Sequence, residues 1–253
     1  MTSPELINPR GSYRPAPLIE PTNNAYMLVT TSVELQNRPG PVFRSSARSS
    51  VLAELVVLAG RLDAATGCGT QLFQAVAFPP FQALPADELP GQVLRYDVVA
   101  LIAAASDEAL AAAEADPSYQ AFVTTLRAKS ADFFATRTRN AKRIATVPPS
   151  DRLHLFNFFH SNNPAALEVW EYLAGWYQQE MNMENSEVLF PVDPGSSPFT
   201  FVNHASWDVG LARFVARQMS RSTFRSFVIA NLSASHMGSL PLLYHPCVSA
   251  GGA

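Results

Sequence analysis

The sequence predicts an α+β fold in which the element order β-α-β-β-α-β occurs twice along one chain. Two observations support this prediction. Apolar residues alternate or recur at helical spacing in the same order in both halves, and Pro148 and Pro149 separate the halves. The two helices of such a ferredoxin-like unit cover only one face of its sheet. The uncovered faces are therefore expected to meet and form one intrachain α/β barrel.

The first unit is predicted to span residues 25–147, after an extended N-terminal arm formed by residues 1–24. The arm holds five prolines and has no apolar period, so neither a helix nor a long strand is expected in it. Apolar spacing then predicts strand 25–35, helix 46–65, strands 71–78 and 93–104, a helical segment 107–138 broken near Pro117, and strand 142–147.

The second unit is predicted to span residues 152–248. Asn163 followed by Pro164 is typical of a helix start, because Asn caps free N–H groups and Pro fits the first helical turn. The predicted elements are strand 152–160, helix 165–181, strands 187–192 and 197–206, helix 208–231 and strand 238–248.

Composition excludes several classes of function. The chain has 253 residues and a formal net charge of −3, and its 18 Lys and Arg residues are scattered, so no nucleic-acid partner is expected. Its apolar runs are shorter than the ~20 residues that a membrane helix needs, and the N-terminus does not resemble a secretory signal. The protein is therefore expected in the cytoplasm, with Cys68 and Cys247 as thiols.

Two sequence motifs resemble a known family. The stretch LFNFFHSNNPAALEVWE, which contains Asn157, resembles the opening strand and helix of the antibiotic biosynthesis monooxygenases. The stretch FVNHASWD resembles the Asn-x-x-x-Trp motif at the end of their third strand, with Asn203 and Trp207 at the matching positions. The first unit carries VVALIAAASDEA instead, so it is predicted to be degenerate as a catalytic unit.

The resemblance implies a tailoring oxygenase of aromatic polyketide biosynthesis that oxidises a polyphenol or hydroquinone with dioxygen. A fused two-unit chain is most similar to the ring-opening oxygenases of angucycline-type pathways, which cleave a C–C bond with reduced flavin. The implied co-substrate is diffusible FADH2 or FMNH2, supplied by a flavin reductase, or no cofactor at all. No metal is implied, and the chain is expected to be a monomer or a homodimer.

Strand alternation then assigns side chains to faces. The residues predicted to face the barrel interior are Leu153, Leu155, Asn157, Phe159, Phe199, Phe201, Asn203 and Ala205, with Trp207 near the strand end. Asn157 and Asn203 offer amide groups to a phenol or quinone oxygen, and Trp207 offers a flat face and one N–H. The side chains predicted to contact substrate are Leu155, Phe159, Phe201 and Trp176.

Two histidines are candidate bases, because an imidazole titrates near neutral pH. His160 ends the first strand of the second unit, and His204 is adjacent to Asn203. Alternation directs His204 towards the helices. The three remaining histidines, which lie outside any recognisable motif, are predicted to be structural: His154, His236 and His245.

Three alternative functions remain open at this stage. The same barrel resembles non-redox cyclases, dehydratases and decarboxylases that need only an acid and a base. It also resembles haem proteins in which a His ligates iron, and a binding protein without turnover would carry the same sequence features.

Overall fold

The computed structural model describes residues 6–7, 13–36, 38–79, 95–148 and 151–247. Its first unit contains strands β1 (Ala25–Ser32), β2 (Gly40–Pro41), β3 (Gly69–Phe78), β4 (Val98–Ala104) and β5 (Asp132–Ala145), and helices α1 (Ser46–Thr66), α2 (Asp107–Ala115) and α3 (Pro117–Ala128).

The second unit repeats this order. Its elements are strands β6 (Leu153–Ser161), β7 (Ser186–Pro191), β8 (Phe201–Trp207) and β9 (Met237–Pro246), helices α4 (Ala166–Met181), α5 (Leu211–Met219) and α6 (Ala230–Ala234), a 3-10 turn (Pro194–Ser196) and a π-helical turn (Phe224–Ile229).

All strand pairs are antiparallel, in the order β2-β3-β4-β1-β5-β7-β8-β6-β9. β3 and β9 also pair with each other, so the eight strands other than β2 form a closed barrel. The last strand of the first unit, β5, thus pairs with β7 of the second unit, and the last strand of the second unit, β9, pairs with β3 of the first. The predicted fold class, two ferredoxin-like units that share one barrel, is confirmed.

Three hydrophobic clusters fill this architecture. One cluster lies inside the barrel and draws on strands of both units, including Leu28, Phe73 and Phe156. The second lies between the first unit's sheet and helices α1, α2 and α3, and the third lies between the second unit's sheet and helices α4, α5 and α6. Every barrel strand next to a helix layer therefore has apolar neighbours on both faces.

The segment 131–138, which the sequence predicted as helix, is instead the start of the long strand β5. α3 ends at Ala128, and β5 pairs with β1 from Asp132 onwards. Burial alternates from Thr136 to Arg139, with the two threonines buried and the two arginines exposed, and the strand's backbone groups pair with those of β1. The predicted break near Pro117 is confirmed, because α2 ends at Ala115 and Asp116 caps α3.

The last predicted helix, 208–231, is divided in the structure. α5 ends at Met219, and a π-helical turn leads from Phe224 into α6. By contrast, α1 closely matches its prediction, because Gly67 ends it in the left-handed conformation with φ of 72°. Among the described residues, no helix combines the length and apolar character needed to cross a membrane.

The described part of the N-terminal arm is extended and packs on both units. Ala16 N–H donates to the backbone oxygen of Glu171 on α4, and Ile19 forms a bridge with Arg143 of β5. An ideal Cβ built on Gly175 would lie 1.8 Å from the backbone oxygen of Arg14, so only glycine allows this close approach. The rest of the arm, residues 1–5 and 8–12, lies outside the described residues.

Candidate functional site

Asn157, Asn203 and Trp207 share one face of the second unit's sheet, and that face looks towards the helices. The strand residues that alternate with the same phase, Leu155 and Phe159, pack in the cluster beneath α4, and so does Trp207 itself. The predicted grouping of the three side chains is therefore right. The prediction that they face the barrel interior is wrong.

The same correction applies to the other side chains assigned to the interior. The residues that pack beneath the helices instead are Leu153, Leu155, Phe159, Phe201 and Ala205. Phe199 precedes β8 and does pack against the interior cluster, with its ring 4.8 Å from that of Phe158. β6 and β8 are buried on both faces. Strand alternation therefore shows which residues share a face, but hydrophobicity does not show which of the two faces points into the barrel.

The two amides lie side by side, because Asn157 pairs with Asn203 across β6 and β8. Each amide oxygen accepts a hydrogen bond from a serine hydroxyl. Ser186 Oγ donates to Asn203 Oδ1 at 2.5 Å, and Ser239 Oγ donates to Asn157 Oδ1 at 2.9 Å. Neither serine stands out in the sequence, since single serines in strands carry no motif.

Trp207 lies at the end of β8 and is 4% exposed. Its ring packs against Phe214 at 4.8 Å and Tyr177 at 6.1 Å. Its indole Nε1 has no hydrogen-bond partner among the described residues. A buried N–H without an acceptor costs free energy, so this atom is suited to receive a ligand oxygen.

The predicted substrate-contacting side chains lie in the same layer. The rings of Phe159 and Phe201 stack at 4.6 Å, and Leu155 lies in the same cluster. Trp176 is fully buried on α4 and its Nε1 donates to Thr223 Oγ1 at 3.0 Å. That bond ties α4 to the segment after α5, so Trp176 packs within the helix layer.

Tyr177 adds a polar group that the sequence did not single out. Its ring faces Trp207, and its hydroxyl oxygen accepts a hydrogen bond from Gln218 Nε2 at 3.1 Å. Burial raises the pKa of Tyr177 above its ordinary value. The phenol is therefore neutral at physiological pH and keeps a proton that it can donate.

His204 points into the barrel, on the opposite side of the sheet from Asn203. Its Nε2 lies 3.0 Å from Nδ1 of His154, and its ring stacks on Phe156 at 4.1 Å. Burial, and then the neighbouring His154, lower the pKa of His204 well below its ordinary value. The prediction that His204 faces the helices is wrong, and His154, expected to stand alone, is its partner.

Glu187 is a further polar residue of the barrel interior that the sequence did not indicate. It pairs with His204 across β7 and β8 and is 4% exposed. Burial raises its pKa to about 7, and its Oε1 has no hydrogen-bond partner among the described residues. His160 lies further along β6, where alternation with His154 also places it on the barrel side.

A cavity of about 220 Å³ lies in the first unit, away from these residues. Arg48 and Asp97 lie at its base, and the Asp97 carboxylate accepts hydrogen bonds from the backbone N–H groups of Val33 and Glu34. Arg48 Nη1 lies 3.4 Å from Asp97 Oδ2 and 3.2 Å from Glu34 Oε2. The buried pair of Arg48 and Asp97 holds the start of α1 in place. Because the charged groups of the cavity are used in this structural role, we assign it no catalytic function.

No protein-family model matches the chain, and no curated protein matches it in sequence. Solved structures share its fold along nearly the whole length. An anthrone oxidase-like protein is 14% identical, with a TM-score of 0.56 over 93% of this chain and 98% of that chain. A proposed monooxygenase from Fusobacterium nucleatum is 7% identical, with a TM-score of 0.53 over 92% of this chain and 97% of that one.

A proposed monooxygenase from Lactobacillus acidophilus is 10% identical, with a TM-score of 0.51 over 88% of this chain and 94% of that one. At such low identity these similarities establish the fold, a ferredoxin-like α/β barrel, and leave the chemistry to the residues of the site.

Proposed function

We propose that this protein is an oxygenase that inserts oxygen from dioxygen into a planar, electron-rich aromatic molecule of the polyphenol, hydroquinone or anthrone type. The observation that carries the proposal is the group formed by Asn157, Asn203 and Trp207. These three side chains lie on one face beneath the helix layer, with the two amides side by side and the indole four residues further along β8, and the buried indole N–H of Trp207 has no partner among the described residues.

The surroundings of this group favour a flat aromatic ligand. Phe159, Phe201, Phe214 and Tyr177 supply ring faces in the same cluster as Trp207. Sites of this composition bind apolar molecules and use their polar groups to orient them. The names of the structural neighbours, two proposed monooxygenases and an anthrone oxidase-like protein, agree with this chemistry. The sequence resemblance adds aromatic polyketide biosynthesis as the proposed setting.

The simplest reaction converts an activated CH2 group between aromatic rings into a ketone. Two C–H bonds break, one oxygen atom forms the C=O bond, and the other leaves as water with both hydrogens. The carbon supplies all four electrons that reduce dioxygen, so no external reductant is needed. The chain's part is to exclude water, hold the ring and donate hydrogen bonds to the substrate oxygen as charge develops on it.

The donor set of the site argues against two of the alternatives. His154, His160 and His204 lie on the barrel side of the sheet, opposite Asn157 and Asn203, so these three histidines offer the site neither an imidazole base nor an axial ligand for haem. His154 and His204 are enclosed in the barrel between Phe73 and Phe156, where a haem macrocycle does not fit. A non-redox acid-base enzyme would need a titratable group near neutral pH at the site, and Tyr177 does not meet that need.

Oxygen uptake by the purified protein tests the proposal. An anthrone is supplied as substrate, with and without FMN, NADH and a flavin reductase, and the product is analysed after incubation in 18-oxygen gas. Uptake without flavin, with one labelled atom in a new carbonyl, is the expected result. Uptake only with reduced flavin supports the ring-opening chemistry, in which flavin supplies two electrons and the second oxygen leaves as water.

Anaerobic controls complete the test. A product that forms equally fast without oxygen would overturn the proposal in favour of a non-redox enzyme. Tight binding of the aromatic without any turnover, under every one of these conditions, would instead indicate a binding protein.

A further inference from the structure

The orientation of the two site amides is set by buried serines. Ser186 is fully buried, and its hydroxyl donates to the carbonyl oxygen of Asn203. A serine hydroxyl has one proton, and here the amide oxygen receives it. The amino group Nδ2 of Asn203 is thereby turned away from Ser186, and within the described residues it makes no hydrogen bond.

Asn157 is held in the same way from the neighbouring strand. Ser239 is 2% exposed, and its hydroxyl donates to Asn157 Oδ1. The two serines lie on β7 and β9, which flank β8 and β6. Each amide is thus held by a serine of the neighbouring outer strand. The amino group of Asn157, like that of Asn203, has no hydrogen-bond partner in the described part of the chain.

The free N–H groups of the site outnumber its free acceptors. The Nδ2 groups of Asn157 and Asn203 make no hydrogen bond with the described residues and Trp207 Nε1 has no partner there, whereas each amide oxygen already accepts one hydrogen bond. A neutral phenol must donate its own O–H, and these amides leave it only the second lone pair of an oxygen that a serine already contacts. An oxygen that only accepts, such as a phenolate, an enolate or a quinone carbonyl, matches the site.

We propose that Ser186 and Ser239 are positioning residues that make Asn203 and Asn157 act as donors, and that the site consequently selects the ionised, phenolate or enolate, form of its aromatic substrate. The inference rests on the proposed function and specifies its substrate further. It also removes the need for a protein base, because the substrate's proton is lost to solvent before or during binding.

The titratable groups around the site are consistent with this assignment. Tyr177 on α4 is a neutral phenol that faces Trp207, so it adds a donor and no negative charge. From the strands, Glu187 and His204 face the opposite side of the sheet, inside the barrel. On α4, the Glu171 and Glu180 carboxylates are paired with Lys142 and Arg221.

Binding of alizarin tests the proposal without any turnover. Alizarin is a planar hydroxyanthraquinone whose colour changes when a phenolic proton leaves, so its absorbance reports the protonation of the bound dye at each pH. The expected result is that the bound dye ionises at least one pH unit lower than free dye, which is a preference of about tenfold or more for the anion. A bound dye that ionises at or above the pH of free dye overturns the proposal, as does failure to bind.

Variants identify the positioning residues. In Ser186→Ala the amide of Asn203 is free to rotate, so the anion preference is expected to fall by roughly threefold to tenfold, as for the loss of one oriented hydrogen bond. Asn203→Asp places a carboxylate oxygen where the amino group was, and the bound dye should then ionise at higher pH than free dye. Ser32→Ala, which removes a buried serine hydroxyl of the first unit, is the matched control and should leave the preference unchanged.

The dye's spectrum separates a positioning role from a merely structural one. If Ser186→Ala lowers thermal stability but leaves the pH of dye ionisation unchanged, the positioning role is refuted. The outcome is also independent of the proposed function: a lowered ionisation pH without oxygen uptake would retain this inference and discard the oxygenase. Oxygen uptake by a protein whose bound dye ionises at the same pH as free dye would retain the oxygenase and discard this inference.

Discussion

The two units of the chain have the same topology, yet they differ in the side chains that their strands direct towards the helices. Val29 occupies the same position in β1 as Asn157 in β6, counted from the start of each strand, and Ala100 occupies the same position in β4 as Asn203 in β8. Val29 pairs with Ala100, as Asn157 pairs with Asn203. Ala104 likewise occupies the position of Trp207. The first unit therefore fills with apolar side chains the space in which the second unit places its donors.

The difference continues on the other side of the sheet, inside the barrel. Tyr26 and Leu101 of the first unit occupy the positions of His154 and His204. Buried polar groups cost stability unless they are paired. The comparison teaches that one unit can carry this cost because the other, which has apolar side chains such as Val29, Ala100 and Leu101 at the equivalent positions, stabilises the shared fold. We infer that the first unit is a structural partner for a single site.

The largest expected effect comes from making the second unit resemble the first. Asn203→Ala copies the alanine already present at position 100, and it removes a donor to the developing oxyanion. Turnover should fall roughly ten- to a thousandfold. The variant also leaves the Ser186 hydroxyl without its acceptor, so stability should fall by about 1–3 kcal/mol.

Activity per folded molecule and thermal stability are measured on the same preparation of this variant. Val29→Ala, at the position equivalent to Asn157, is the control, and it should cost stability through a cavity while turnover per folded molecule stays normal. An Asn203→Ala protein that melts early and turns over normally would show that the amide is structural.

The next largest effect concerns the barrel interior. Because burial raises the pKa of Glu187 to about 7, the folded state holds this proton more tightly than the unfolded state does. Its contribution to stability is present below pH 4.5 and is lost as pH rises through 7. At pH 8, Glu187→Gln should be about 3 kcal/mol more stable than the parent, and at pH 4 the two should be similar.

Urea denaturation at both pH values measures this difference. His204, whose pKa is lowered, should give the opposite slope, with stability lost as pH falls below the unfolded value. Equal stability of parent and Glu187→Gln at pH 8 would mean that the carboxyl is ionised and compensated in the folded protein.

A third prediction compares the glycines of the two equivalent helices, α1 and α4. Gly175→Ala brings a methyl group against the backbone of Arg14, so the arm must shift and stability should fall by about 1–3 kcal/mol. Gly60→Ala on α1 meets no atom within 4 Å and should raise stability by roughly 0.5–1 kcal/mol. Thermal melts of both variants check the signs, and a stabilised Gly175→Ala would contradict the close approach of the arm.

The smallest effect isolates one N–H. Trp207→Phe keeps an aromatic ring and removes a donor that has no partner among the described residues, so stability should change little. Turnover should fall roughly three- to tenfold, as for one hydrogen bond, and less than in Trp207→Ala. Trp170→Phe, another buried indole in the same cluster, is the control and should leave turnover unchanged. Equal turnover in Trp207→Phe and the parent would mean that the indole N–H contacts no substrate.

The sequence was sufficient for the fold and for part of the site. Element order identified both units, and the shared phase of Asn157, Asn203 and Trp207 followed from strand alternation. The sequence did not show whether these side chains face the barrel interior or the helices, because strands that are buried on both faces have no polar face to mark the outside. Ser186 and Glu187 were missed because each acts through a neighbour on another strand, and single-sequence patterns do not record cross-strand pairs.

The N-terminal arm has a consequence for how the chain is made. The backbone of Ile7 exchanges hydrogen bonds with Asn231, 224 positions later, and Thr22 N–H donates to Asn140, 118 positions later. At synthesis rates of about 5–20 residues per second, Ile7 waits roughly 11–45 s and Thr22 roughly 6–24 s before the residue that each contacts has been made. The arm can complete its docking only after α6 has been synthesised.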